Sequence, residues 1–215
     1  MGRTAEQFKE MSVREFTQAA QVYESDRAGI YEICKDDYPQ MLAELEVETF
    51  FDVLDVGCGT GAVIVLLHEK YPAARYTGLD LTPAMIDVAA TKGLPNCMFV
   101  VGDAEDMPFE DASFDAVLSS NSFHHYPNPA AFFSGALRVL RPGGRLILRD
   151  YTSNDFVVWL MNTFELPATR LLGHGDVHVC KLSEFRALAE AAGFEVEKLE
   201  AQKGFRAHLV ARKPA

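Results

Sequence analysis

The chain has 215 residues, of which 48% are hydrophobic, and a formal net charge of -11. That length and apolar content suffice for one domain with a full core and a small appendage. The acidic balance argues against a surface that tracks a phosphate backbone, which needs clustered Lys and Arg, so no nucleic-acid partner is expected.

The first stretch, "MGRTAEQFKEMSVREF", is charged throughout and holds no apolar run of the kind a signal peptide or a membrane span requires. Glu6 stands where the myristoylation pattern needs Ser or Thr. Cys34, Cys58, Cys97 and Cys180 form no C-x-x-C pair and suggest neither a zinc site nor a disulfide framework. A cytoplasmic protein with free thiols and no membrane contact is the expectation. Residues 5 to about 46 show helical apolar spacing (Phe8, Met11, Phe16, then Ile30, Ile33, Tyr38, Met41, Leu45) and no strand candidate. Residues 1–48 are therefore predicted to form an N-terminal helical lid, and residues 49–215 a catalytic domain.

From "FFDVLDV" onward, short β-rich runs alternate with helical segments: "RYTGLDL", "CMFVVGD", "FDAVLSS" and "GGRLILRDY". This alternation predicts a parallel sheet with helices on both faces. The helix after the first strand should pack Val63, Leu66, Leu67 and Tyr71 inward and stop at Pro72. The next should start with Thr82 as N-cap and Pro83 in the first turn, and a third, near "NPAAFF", should bury Phe133, Ala136, Leu137 and Leu140. Residues 152–180 are too many for an ordinary connection and predict an insertion covering the site. Ser183 is placed as the cap of a last helix, carrying Phe185, Leu188, Ala189 and Ala192 and ending at Gly193. "FEVEKLEAQ" and "FRAHLVARK", joined through "KG", read as a hairpin that closes the sheet with an antiparallel strand.

The first strand runs into "DVGCGTGA", Asp55 to Ala62. Glycines at 57, 59 and 61 suit a strand-to-helix turn that needs positive φ and close backbone approach to a ligand, which serves NAD and S-adenosylmethionine alike. Asp80 ends the second strand, 21 residues after Gly59, where a carboxylate can accept from ribose hydroxyls. Asp103 ends the third, near an adenine position, and reads equally as a helix cap.

Taken in order, "LDVGCGTG", "GLDLTPAM", "GDAEDMPF", "FDAVLSSNSFHH" and "LRPGGRLIL" resemble the motifs of class I S-adenosylmethionine-dependent methyltransferases, in particular the small-molecule, type 11 group that includes the quinone methyltransferases. The resemblance runs from about Phe51 to Tyr151. It implies a Rossmann-like α/β fold whose seven-stranded sheet has the order 3-2-1-4-5-7-6 with strand 7 antiparallel, and S-adenosylmethionine as cofactor. It further implies that Gly57, Cys58 and Gly59 lie against the methionine part, with Asp55 at its amino end. Asp80 would take the ribose, Leu81 and Met85 flank the adenine, and Asp103 and Ala104 contact its amine and ring. Ser119 and Ser120 would border the transferable methyl. Two departures bear on the acceptor. The chain reads "SSNSFHHYP" where amide- and base-modifying enzymes carry [DN]-P-P-[YFW], and it lacks the glycine-leucine-arginine-asparagine run of the quinone group.

In-line methyl transfer depends on holding the nucleophile near attack with water excluded, and a base helps where a proton must leave. His124 is the candidate base, with a packing histidine as the rival reading, and Tyr23 is a second candidate, placed over the cofactor by the lid. Trp159 and His174 are expected to bound an enclosed, partly apolar acceptor pocket together with Tyr23 and His124. His174, Asp176 and His178 are close in sequence but lie on a glycine-rich loop, and no metal is expected. Two other functions share these features: a nicotinamide-dependent oxidoreductase, whose only Y-x-x-x-K is Tyr31 to Lys35, and a non-catalytic cofactor-binding protein of the same fold.

Overall fold

A computed structural model describes residues 3–25 and 34–215. Ile30, Ile33 and Tyr31 lie outside the described residues. The first helix, α1 (Ala5–Ala19), begins with a reciprocal cap in which Thr4 accepts from the Gln7 amide and Gln7 accepts from that of Thr4. It is followed by α2 (Tyr38–Leu45), then β1 (Asp52–Val56), α3 (Ala62–Lys70), β2 (Arg75–Asp80), α4 (Pro83–Thr91), β3 (Cys97–Val101) and β4 (Phe114–Ser120). A 3-10 turn (Phe123–His125) leads into α5 (Pro129–Val139) and β5 (Leu140–Tyr151). The 152–180 insertion is helical, with α6 (Asp155–Leu160), a π-helical turn (Met161–Glu165) and α7 (Leu166–Leu171), before α8 (Leu182–Ala192), β6 (Glu195–Gln202) and β7 (Arg206–Arg212).

The strands form one sheet in the order β3-β2-β1-β4-β5-β7-β6, parallel except where β7 runs against β5 and β6. Successive residues of the central strands feed opposite faces, as the two-residue period requires. Leu54, Val117 and Leu146 enter a core with Phe132, Phe133, Ala136 and Phe185, whereas Val53, Leu118 and Ile147 enter another with Met41, Leu45, Ile64 and Leu67. Both faces are covered, which explains why β1 is buried along its length and why β4 and β5 carry the short apolar runs 116–118 and 146–148.

The N-terminal 48 residues divide. Helix α1 packs against α4 and the 123–125 turn, over the carboxyl ends of the strands, while α2 supplies Tyr38, Met41 and Leu45 to the core on the other side. Between them, Asp37 is buried with Arg149 and Arg206: its Oδ1 accepts from Arg149 at 2.9 and 2.8 Å, and its Oδ2 from Arg206 and Asn121, each at 2.8 Å. This buried cluster ties the N-terminal segment to β5 and β7.

Local differences from the sequence reading have simple causes. Leu66 is exposed and Ile64 buried in its place, because α3 presents Val63, Ile64 and Leu67 to the sheet and α2. The expected Leu137 is only partly buried, with Phe132 and Val139 filling the core beside Phe133. Thr82 sits at the head of α4, but its side chain makes no cap bond; the Asp80 carboxylate accepts its amide instead. The last helix starts one residue before Ser183, and Glu184 accepts the Lys181 amide at 2.7 Å, so the cap is supplied from inside the helix. Gly193 ends it with φ 106°, as expected.

Candidate functional site

The turn after β1 is left-handed three times, at Gly57 (φ 73°), Gly59 (φ 53°) and Gly61 (φ 80°), a geometry that only glycine adopts without strain. The Gly57 and Cys58 amides donate to the Leu79 carbonyl at 2.8 and 3.0 Å, and the Gly59 amide donates to Asp80 Oδ2 at 2.9 Å. The loop is thereby fastened to the end of β2. A side chain at Gly57 would lie 2.4 Å from Ser122, whereas one at Gly59 would meet only Tyr23, at 4.0 Å. Space is thus kept open between Gly59 and the Tyr23 ring.

Asp55, at the end of β1, is buried, and its Oδ2 has no hydrogen-bond partner among the described residues. Burial, aided by the nearby Asp80 charge, pushes its carboxyl up to about 7. Burial also raises Asp80, against the amides of Thr82 and Gly59 that hold its charge. An uncompensated acidic oxygen beside a glycine cradle fits an ammonium-bearing ligand such as the methionine end of S-adenosylmethionine.

Beside the loop lies a narrow cavity of about 70 Å³, lined by Gly57, Asp80, Leu81, Asp103 and Ala104 from the sheet side and by Lys9, Ser12 and Phe16 from α1. It is far smaller than the roughly 300–1,000 Å³ of a cofactor pocket. The reason is α1: the Lys9 ammonium sits 2.6 Å from both Asp103 Oδ2 and Glu105 Oε2. Asp103 Oδ1 accepts the Glu105 amide at 2.8 Å, so both of its oxygens are engaged. Met85 is buried and does not line this cavity, whereas Leu81 does. Cys58 is buried as well. Ser119 is fully buried and meets the Ser122 hydroxyl at 3.0 Å, Ser120 accepts from Asn121, and the cavity wall here is formed by Ser122 and Tyr126.

A second cavity of about 340 Å³ adjoins the first, and Phe16 and His125 line both. His124, Tyr23 and His174 also line it, together with Cys34, Tyr151 and Met161. Trp159 does not. It is about half exposed and stacks on Phe156 with Phe164 edge-on, at ring distances of 6.0 and 5.8 Å. Its neighbour Val158 is the inward residue, packed with Leu166 and Val179, and one helical step of about 100° turns Trp159 outward.

His124 is buried at the wall of this second cavity. Its Nδ1 lies 2.7 Å from Asp150 Oδ1, and its backbone amide donates to Asp150 Oδ2 at 3.3 Å. Burial alone would lower the imidazole, but the Asp150 carboxylate overrides it and the net direction is upward. For Asp150 burial likewise opposes the charge, and His124 holds the carboxyl below its usual range. With Nδ1 turned to Asp150, Nε2 faces Asp176, 3.4 Å away. His125 is pushed down to about 4 by burial and by His124 beside it, and its Nδ1 is buried without a hydrogen-bond partner among the described residues. His174, Asp176 and His178, neighbours in sequence, turn to different partners: His174 bonds Glu15 at 2.5 Å, His178 lies 3.2 Å from Glu184, and Asp176 alone turns to the histidine pair.

Several of these residues carried no sequence signal. Lys9 is an ordinary charge on an amphipathic helix until α1 is placed over Asp103. Asp150 was visible only as the last polar residue of a strand, although its position at a carboxyl end is where ligands of open α/β sheets collect.

Comparison with known proteins agrees with this geometry. Residues 54–148 match the family model described as a methyltransferase domain. Over 109 residues, half of this chain and 40% of the relative, the sequence is 45% identical to phthiotriol/phenolphthiotriol dimycocerosates methyltransferase 1 of Mycobacterium ulcerans. It is 41% identical over 128 residues, 59% of this chain and 46% of the relative, to the fatty-acid O-methyltransferase of Mycolicibacterium smegmatis. The matched stretch thus spans less than half the length of each. An S-adenosylmethionine-dependent methyltransferase of Aquifex aeolicus superposes with a TM-score of 0.70 over 92% of this chain and 98% of its own, at 19% identity, which speaks for the fold. Tyr31 of the dinucleotide alternative lies outside the described residues. The strand order, the glycine turn and the match over residues 54–148 together give the chain a methyltransferase domain on the class I S-adenosylmethionine-dependent fold.

Proposed function

We propose that the protein transfers a methyl group from S-adenosylmethionine to a hydroxyl oxygen of a small, partly apolar acceptor. One observation carries this reading: the cofactor-side and acceptor-side cavities share a wall at Phe16 and His125, next to an imidazole oriented by a buried carboxylate. When bound, S-adenosylmethionine supplies an electrophilic sulfonium methyl, whose carbon–sulfur bond breaks with its electrons left on sulfur.

Asp55 holds the cofactor's ammonium, Asp80 its ribose, and Asp103 its adenine amine, which requires Lys9 to leave Asp103 Oδ2 as the cofactor enters. On the acceptor side, Asp150 fixes His124 so that Nε2 takes the hydroxyl proton while the oxygen–methyl bond forms. Tyr23 and Phe16 close the space between glycine loop and acceptor and keep water out. An apolar chain on the acceptor is in keeping with Met161, Leu166 and Val179 along the far wall and with the names of the two mycobacterial relatives. The charge of -11 and four unpaired cysteines support a cytoplasmic protein whose partner is a small molecule rather than nucleic acid.

The test is direct. The protein is incubated with S-adenosylmethionine and a panel of long-chain alcohols, phenols and fatty acids, and methylated product is read by mass spectrometry. Methyl ethers at a hydroxyl are expected. Tight cofactor binding with methyl esters alone would overturn the hydroxyl assignment, and tight NAD binding with none of S-adenosylmethionine would overturn the whole reading.

A further inference from the structure

The histidine pair and Asp176 have a spacing that hydrogen bonding does not explain. Asp176 Oδ1 is 3.4 Å from His124 Nε2 and 3.7 Å from His125 Nδ1, longer than the roughly 2.7–3.2 Å of well-made N–H···O bonds. Donors around a tetrahedral ion at bond lengths of about 2.0–2.2 Å stand about 3.3–3.6 Å apart, which is close to both separations. The three donor atoms all lie within 4.8 Å of one another.

The surroundings fix these donors in advance. The Asp150 carboxylate grips the far nitrogen of His124, the arrangement by which proteins orient a metal-binding imidazole. His125 offers a buried nitrogen that has no hydrogen-bond partner among the described residues. The strand of chain bearing Asp176 is pinned to the turn bearing both histidines, because the Val177 and His178 amides donate to the His124 carbonyl at 2.8 and 3.2 Å. Arg170 Nε holds the Asp176 carbonyl at 2.8 Å, and Glu15 receives the Gly175 amide at 2.9 Å. Two imidazole nitrogens and one carboxylate oxygen suit zinc-class ions over magnesium or calcium, which prefer all-oxygen sites. Three protein ligands leave a fourth position, and all three side chains line the acceptor cavity.

We propose that His124, His125 and Asp176 bind a divalent cation of the zinc class, and that the bound cation shuts off methyl transfer by occupying the Nε2 lone pair of His124. The inhibitory half rests on the methyltransferase reading; the binding half does not. With the lone pair donated to the ion, the acceptor hydroxyl proton has no base to go to.

Zinc is titrated calorimetrically into the full chain, without cofactor or acceptor, and the dialysed protein is assayed for metal by mass spectrometry. One zinc per chain is expected, with magnesium giving no comparable heat. His125→Ala and Asp176→Asn should each weaken zinc by more than about 10-fold, and Asp150→Asn by about 10-fold through loss of orientation. Cys180→Ser tests the other candidate grouping among the described residues, His178, Cys180 and Glu184, and should leave the affinity unchanged. Circular dichroism confirms that each variant is folded. Zinc affinity untouched by His125→Ala and Asp176→Asn, or lost in Cys180→Ser, overturns the site. One equivalent of zinc should then cut turnover of the panel's best alcohol or phenol at least 10-fold, reversibly with EDTA. Stoichiometric zinc that raises turnover instead leaves the site standing and overturns His124 as the base.

Discussion

Replacing Asp55 with Asn should stabilise the empty protein while weakening its hold on the cofactor. The carboxyl is buried, one oxygen is unpartnered, and its folded value of about 7 stands well above the ordinary 3.8. Between those values the folded chain binds a proton that the unfolded chain has released, so the slope of stability against pH is negative throughout the window. Stability is therefore greatest below pH 3.8 as far as this group is concerned, and is lost progressively until pH passes about 7. Each unit is worth about 1.36 kcal/mol, so between pH 5 and pH 8 the wild type loses about 3 kcal/mol that Asp55→Asn does not. Any fixed packing or hydrogen-bond cost of the amide cancels in that difference. Urea unfolding of both proteins at the two pH values, followed by far-ultraviolet circular dichroism, measures it. Cofactor titration should show the reverse trend, with wild-type affinity rising with pH up to about 7 and the variant flat and weaker. A stability difference that is the same at pH 5 and pH 8 would refute the argument.

Asp80→Ala should weaken S-adenosylmethionine by about 1.5–3 kcal/mol, the scale of hydrogen bonds to a charged group, and calorimetry showing unchanged affinity in a folded variant would remove Asp80 from the ribose site. His124→Gln should lower kcat by about 10²–10⁴-fold, the usual contribution of a general base, with cofactor affinity within about twofold of wild type; loss of affinity at unchanged kcat would contradict the assignment. Asp37→Asn leaves the buried Arg149 and Arg206 guanidiniums without their carboxylate and should cost about 3–5 kcal/mol in urea unfolding, against a negligible change if the cluster contributes nothing.

The sheet and its cofactor end were legible in the sequence because their determinants are local. Glycine at three left-handed positions, an Asp at the end of β2 and paired apolar strands each announce themselves within a few residues. The antiparallel finish was readable for the same reason, since "KG" between two β-rich runs makes its own turn. The Lys9 contact that narrows the first cavity and the histidine site of the second were not, because each is assembled from residues far apart in the chain. Lys9 meets Asp103 across 94 positions and His124 meets Asp150 across 26. Trp159 failed for a different reason. An apolar run such as "FVVWLMNTF" shows that a helix has a buried side, but in a run apolar all round the periodicity cannot say which residue takes it. The structure gives that side to Val158 and turns the indole out.

That outward indole has a spectroscopic consequence. Trp159 is the single tryptophan of the chain, half exposed and stacked on Phe156, away from the sheet. Its emission should be that of a water-exposed indole already in the native state, and acrylamide should quench it readily. Selective excitation of tryptophan therefore reports on the 155–171 helical segment and not on the seven strands beneath. In a denaturant titration the fluorescence signal should change early or little, while the far-ultraviolet signal records the cooperative loss of the sheet, and the separation between the two curves measures how independently the helical segment detaches.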